Sequence, residues 1–416
     1  MRRLFVLPEL AVIVLLLLVS SCATSPPPVI SQNVSSANTV RPELAMQHEF
    51  YAANDSLYLY FKFEDLQQVL DLAATAKLLE YSIRQGSTEQ DPALMYDSVP
   101  YISQLNVEAN GHAYYSVQVP GHLIAQPNYL HMRLWQESND GLKLGTYFAL
   151  PLSAQMLEKS YLFRSSKTGR PLFRNYLNLN ESLIVTKAGE TDTLEVSLLD
   201  AAFAPAAPPM AVRPEPAPKT IQIAERFYYA DGDTLSFPRK GIYLVEPNAS
   251  GSKGILVQDG SYPQVTMAQE LIYPLVYITT SNEREALLNA PDAKLALDNF
   301  WLKVAGNDEI NARNLIRQYY GRVETANRLY TSHKEGWATD RGMIYIIYGK
   351  PSRVTSTRGS EVWTYRESPT QPYVKFVFNK KENTFTENHY ELVRNPNYKE
   401  NWYSTVAKWR AGITDM

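Results

Sequence analysis

The sequence predicts a multidomain protein, with an N-terminal all-β part made of two immunoglobulin-like sandwich modules and then an α+β domain. Three observations predict it. From about Glu49 to Asp259 the apolar residues alternate in short runs separated by Asn, Asp, Gly and Pro, the period of half-buried strands. Beyond Gln264 the period lengthens to that of amphipathic helices before strands return. Tyrosine outnumbers phenylalanine 28 to 14, which suits half-exposed sheet faces. A length of 416 residues fits two or three domains.

Ahead of the first strand, Arg2 and Arg3 precede an apolar run from Leu4 to Val19 and then small residues, the pattern of a secretory leader over residues 1–21. Val19-Ser20-Ser21-Cys22 resembles the lipobox of bacterial lipoproteins, which implies lipidation of Cys22 and membrane attachment through that lipid anchor. Cys22 is the only cysteine, so it has no disulfide partner. Several acyl chains would hold the protein firmly, each buried methylene contributing about 0.8 kcal/mol. Ala23-Thr24-Ser25 follows the cysteine, without the Asp of inner-membrane retention or the acidic cluster of surface export, so the resemblance to bacterial lipoproteins implies the outer membrane, facing the periplasm. Residues 22–44, with Pro26-Pro27-Pro28, read as a tether.

The first β module is expected over 45–158, with strands at "SLYLYFKF" (Ser56 to Phe63), "AKLLEYSIR" (Ala76 to Arg84), "AYYSVQVP" (Ala113 to Pro120), "YLHMRLWQ" (Tyr129 to Gln136) and "KLGTYFALPL" (Lys143 to Leu152). The second is expected over 159–263, with strands at "RNYLNLN", "SLIVTK", "TLEVSLLD", "RFYYADGDTLSFP", "GIYLVEP" and "KGILVQD". Asp231-Gly232 and Asp259-Gly260 mark tight turns. A Pro-rich insertion, 203–219, prefers polyproline II and cannot enter a sheet interior. It reads as an exposed loop or linker, with a docking peptide for a partner as the alternative.

The α+β domain is expected over 264–416. Thr280-Ser281-Asn282-Glu283 forms a capping box ahead of a helix. Leu297, Phe300, Trp301 and Val304 share one helical face, and Ala312, Leu315, Tyr319, Ala326 and Tyr330 another. The arginines on that second helix, Arg313, Arg317, Arg322 and Arg328, form no basic stripe and read as a solvated face. Gly336 is expected to turn the chain away from the helix through a permissive dihedral, with Trp337 capping the core. Thr339 and Asp340 are placed to accept from turn amides, and Asp340 beside Arg341 invites a charge-assisted bond. Met343 to Tyr348 is apolar on both sides and reads as a central strand ended by Gly349-Lys350-Pro351. Strands follow at "EVWTYR", "YVKFVFN" and "HYELVR", then a final helix.

Gly336-Trp337-Ala338-Thr339-Asp340, followed by Arg341-Gly342, Gly349-Lys350-Pro351 and Glu361-x-Trp363-x-Tyr365, resembles the GWxTD domain family over roughly Gln264 to Met416. The resemblance implies a secreted or lipid-anchored protein, mostly of Bacteroidota and related phyla, with β domains ahead of the signature. It implies no chemistry.

With Lys+Arg 40 against Asp+Glu 43 and a net charge of −3, nothing in the charge balance recruits nucleic acid. No HExxH, GxSxG, P-loop or dinucleotide turn is present, so no metal or cofactor is expected. Glu335, Asp340 and His333 are the weak catalytic candidates, with Glu335 and Glu361 as a conceivable glycosidase pair. The expectation is a non-catalytic envelope binding or assembly component with an unidentified envelope protein partner. Its rivals are a glycan- or peptidoglycan-binding module and a hydrolase using the carboxylates near the motif.

Overall fold

The computed structural model describes residues 46–413 apart from 64–75, 101–105, 108–112, 140, 189–192, 201, 213–220, 231, 247–252, 358, 367–372, 382, 384–385 and 387. The leader, Cys22, the tether, His112, Asp231 and the end of the Pro-rich insertion lie outside the described residues.

In the first β module the strands are β1 (Met46–Ala53), β2 (Ser56–Phe63), β3 (Ala76–Arg84), β4 (Ala93–Pro100), β5 (Asn106–Val107), β6 (Ala113–Pro120), β7 (Asn128–Ser138) and β8 (Gly141–Leu152). They pair as two sheets, β1-β2-β6-β5 and β4-β3-β7-β8, a Greek-key order. Leu57, Leu59, Phe61 and Phe63 of β2 turn inward and share one core with Leu79, Leu130, Met132 and Leu134 of the other sheet. Asn54 and Asp55, both at positive φ, make the two-residue turn that twists β1 back onto β2.

The second module holds β9 (Tyr161–Ser165), β10 (Tyr176–Asn178), β11 (Leu183–Lys187), β12 (Thr193–Asp200), β13 (Gln222–Ala230), β14 (Thr234–Leu235), β15 (Gly241–Val245) and β16 (Lys253–Gln258). Its sheets are β10-β16-β15-β12-β13, in which β10 and β16 run parallel, and β14-β11-β9. Ile242 to Val245 of β15 are all buried, because Tyr243 and Val245 face the core between the sheets while Ile242 and Leu244 join Tyr176 and Tyr262 on the opposite face. A strand covered on both sides reads as a continuous apolar run.

The two modules are braced together. Lys159 Nζ donates to the Glu49 carboxylate at 3.0 Å, with both side chains buried, and lies 4.4 Å from the Phe50 ring centroid. On the outer face of the first sheet, Arg164 sits 5.3 Å over Tyr60 and Arg170 sits 4.8 Å over Tyr114. Tyrosines on that face therefore receive the second module.

The α+β region contains α1 (Ala268–Ile272), α2 (Ser281–Leu288), α3 (Ala293–Val304), α4 (Glu309–Tyr330), α5 (Asp340–Tyr348) and α6 (Lys399–Arg410), with the antiparallel sheet β17 (Arg353–Ser356), β18 (Ser360–Tyr365), β19 (Val374–Lys380) and β20 (Tyr390–Leu392). The expected capping box holds α2: Thr280 Oγ1 accepts from Glu283 N, and the Glu283 carboxylate accepts from Thr280 N at 2.8 Å. Leu315, Tyr319 and Val323 of α4 pack with α5, with Trp363, Phe376 and Phe378 of the sheet, and with Trp402 and Trp409 of α6. Among the described residues no helix is long and apolar enough to cross a membrane.

Two expectations are corrected here. Met343 to Tyr348 is helix, not strand. A short run apolar on every side fits a buried helix as well as a central strand, and the ends decide: Thr339 caps the first turn and Gly349, at φ +80°, stops the last. Residues 203–210 of the Pro-rich insertion are not an exposed loop, because they lie against the α+β domain, with Ala206 and Pro209 buried.

Candidate functional site around the Gly-Trp-Ala-Thr-Asp turn

The site begins at the C-terminal end of α4. Asn327, fully buried there, accepts from Trp337 N with its side-chain oxygen at 2.9 Å, while its amide nitrogen donates to Pro263 O at 3.0 Å. Gly336 is needed for close approach, which corrects the expectation of a permissive dihedral: its φ is not in the left-handed region, but a Cβ would stand 2.0 Å from Ala326 O. Gly342 is packed in the same manner, 1.8 Å from Gly336 O. Two glycines thus let the α4 backbone, the tight turn 336–338 and the start of α5 stack without side chains between them.

A relay of hydroxyls ties this stack together. Gly336 N donates to Tyr262 OH at 3.3 Å, Tyr262 donates to Thr331 Oγ1, and Thr331 donates to Asn327 O at 2.5 Å. Burial pushes the Tyr262 phenol far above its ordinary range, so it remains a donor.

Each polar side chain of the turn has a partner within the chain. Thr339 Oγ1 accepts from Gly342 N at 3.0 Å and donates to Gly336 O at 2.8 Å, serving as the N-cap of α5. Asp340 accepts from Arg394 Nη2 at 2.6 Å, from Arg394 Nη1 at 3.0 Å and from Leu392 N at 2.7 Å. Arg341 donates to Glu361 at 3.1 Å and to both Asn388 oxygens, and its guanidinium lies 4.1 Å over Tyr390. Asp340 and Arg341 therefore do not pair with each other. Adjacent residues at a helix start point in different directions, and each reaches a different part of the sheet edge.

Glu335 and Glu361 play matching roles. Each carboxylate accepts from the indole N–H of the tryptophan two residues on, Trp337 for Glu335 and Trp363 for Glu361, the second at 3.1 Å. Burial raises the Glu335 pKa, and the Trp337 bond opposes the rise.

His333 is buried between two rings, Phe203 at 4.5 Å and His389 at 4.6 Å. Burial first, then the His389 and Lys334 charges, pull its pKa down to about 3. His389 is lowered as well, mainly by burial. Lys334, beside them, is brought down to about 8 by burial and donates to Ala204 O at 2.9 Å. Beyond the motif, Gly349 lies against the Arg322 guanidinium, whose Nη1 donates to Ile346 O and Ile347 O at 3.0 and 3.1 Å, closing the end of α5. Arg322 is thus half-buried and structural, unlike the solvated arginine expected. Pro351 begins the connection into β17, where it has no N–H to leave unsatisfied.

The sequence reading missed Arg394, Asn388, Tyr262 and Asn327. No local spacing signals them, since Arg394 lies 54 residues from Asp340 and Tyr262 lies 74 from Gly336. Among the described residues no cluster of three or more His, Cys, Asp or Glu is arranged to hold a metal ion.

No curated protein matches this chain. Residues 241–411 match the model of the GWxTD domain, so the matched region includes β15 and β16 of the second module's larger sheet as well as the helices and the last sheet. The chain is a GWxTD domain-containing protein.

Proposed function

We propose that this is a lipid-anchored protein of the cell envelope, attached to the outer membrane at Cys22 and facing the periplasm, that acts as a non-catalytic binding or assembly component. One observation carries the non-catalytic reading: the motif's polar groups are engaged in holding α4, α5 and the sheet edge together. Asp340 has three donors, Arg341 has Glu361 and Asn388, and Thr339 is a helix cap. A general acid or base must reach a substrate proton, and a carboxylate fixed by a two-pronged buried arginine is poorly disposed to do so. The anchored reading is supported by the run Leu4 to Val19 followed by Ser20-Ser21-Cys22.

The first module is, on this reading, immunoglobulin-like, supported by its pairing order, which corresponds to A-B-E-D and C′-C-F-G of such sandwiches. The β modules then serve as spacers and presenting surfaces, braced at Lys159 and Glu49.

Crosslinking in native cells followed by pulldown tests the proposal. A stoichiometric envelope protein retained by the natural chain is the expected result. Co-purification of glycan or peptidoglycan fragments with no protein partner would replace it with the glycan-binding reading, and turnover of such fragments abolished by Asp340→Asn in a folded chain would replace it with the hydrolase reading.

A further inference from the structure

Residues Ala202 to Met210 carry no charge, three prolines and an aromatic: AFAPAAPPM. Ala206 and Pro209 are buried, Phe203, Ala207 and Met210 are half-buried, and Ala202, Ala204, Pro205 and Pro208 face solvent. Up to the turn in which Ala211 N donates to Pro208 O at 3.0 Å, the segment is neither helix nor strand. Its prolines favour polyproline II backbone, which has no internal hydrogen bonds of its own.

The α+β domain supplies those bonds. Ala206 N donates to Ala338 O in the middle of the motif at 2.9 Å. Three carbonyls of the segment are read in turn: Ala204 O by Lys334 Nζ at 2.9 Å, Ala207 O by Arg394 Nη2 at 3.0 Å and Pro209 O by Asn395 N at 3.0 Å. Phe203 sets its ring against His333 and Met210 packs on the domain core. Main-chain groups give the docking its grip, and the residues at the first, fourth and seventh positions give it selectivity.

We propose that this face of the GWxTD domain is a polyproline II recognition groove, occupied in the resting chain by its own residues 203–210, and that it receives an uncharged Pro-rich segment of a partner protein in trans. The preferred ligand has an aromatic residue, a small residue three positions on and proline three positions after that. Arg394 links ligand to motif, since one guanidinium holds Asp340 and the Ala207 carbonyl together. The proposal rests on the assembly reading above and assigns it a site.

The test uses the full chain with residues 202–210 replaced by a Gly/Ser stretch of equal length and a fluorescent peptide of sequence AFAPAAPPM. Saturable binding is expected, weakened at least tenfold when the peptide's third alanine, the equivalent of Ala206, is Asp. The natural chain should bind the peptide roughly a hundredfold more weakly, because the tethered segment competes at an effective concentration of about millimolar. A folded replacement chain that binds no peptide overturns the groove. Should that chain not fold, amide exchange of the natural chain decides: Ala206 N–H is expected to exchange by local opening well before Leu315 N–H, and equal protection of the two overturns the proposal. A natural chain that is dimeric and becomes monomeric on adding peptide assigns the groove to a second copy instead of a partner, and overturns the trans-partner proposal. Absence of peptide binding alongside a retained crosslinked partner would reject the groove and leave the assembly reading standing.

Discussion

Arg394 grips the Asp340 carboxylate with both terminal nitrogens, at 2.6 and 3.0 Å, across 54 residues of chain, and both side chains are nine-tenths buried. The pair fastens the first turn of α5 to the segment that leaves β20, and Leu392 N adds a third bond at 2.7 Å. The last residue of the signature is thus a clamp between helix and sheet.

Removing the carboxylate leaves a buried guanidinium and a backbone donor without their partner. Asp340→Ala is expected to cost about 3–5 kcal/mol of unfolding free energy, read from the urea midpoint at constant slope. Asp340→Asn keeps an acceptor for Leu392 N and should lose less.

Gly336→Ala would place a methyl 2.0 Å from Ala326 O, a backbone atom near the C-terminal end of α4 that cannot swing aside. Overpacking of this kind costs roughly 1–3 kcal/mol or more, and here the expected outcome is at the upper end, with loss of a cooperative thermal transition in the α+β domain. An alanine at Gly359, where a Cβ meets nothing within 4 Å, is the matched control and should leave stability nearly unchanged.

Acid should destabilise this region before ordinary carboxylates titrate. His333, at about 3 when folded, and His389, also lowered, are held neutral by burial, so below their ordinary value of 6.5 the unfolded chain binds more protons than the folded one. Their contribution is complete above about pH 6.5 and is lost as pH falls toward the folded values. His333→Phe is expected to flatten the slope of stability against pH between about 6 and 4, measured by denaturation at a series of pH values. A slope unchanged by the substitution would mean that His333 is not buried neutral.

Glu49→Ala would strand the Lys159 ammonium between the two β modules. A loss of about 3–5 kcal/mol is expected, and calorimetry should show the modules unfolding in separate steps where the natural chain unfolds them together.

The parts of the fold that were legible in the sequence are those fixed by local period. Leu57 to Phe63 alternates because one face meets a core, and Leu315 to Val323 recurs at helical spacing for the same reason. Thr280 and Glu283 announced their helix through a side-chain oxygen at the right distance from a free amide. Met343 to Tyr348 was illegible because total burial erases the period that separates helix from strand. Gly336 signalled that a side chain is forbidden there but not why, since positive φ and close approach demand the same residue. The partners of Asp340 and Arg341 were invisible because pairing across 20 to 54 residues leaves no trace in spacing. Phe203 to Met210 reads as a linker by composition, and only the bonds to Ala338, Lys334 and Arg394 show it held against the α+β domain.

The central claim, that the signature motif holds the domain together and performs no chemistry, is tested most directly by a double-mutant cycle on Asp340 and Arg394. Unfolding free energies of the natural chain, Asp340→Ala, Arg394→Ala and the double variant are to be measured under one condition. The account predicts that the double variant is scarcely less stable than either single one, so that the coupling is close to the cost of one single variant, about 3 kcal/mol or more. An Asp340→Ala chain as stable as the natural one, with no coupling to Arg394 but with its envelope partner lost, would contradict the account and make the motif a functional site.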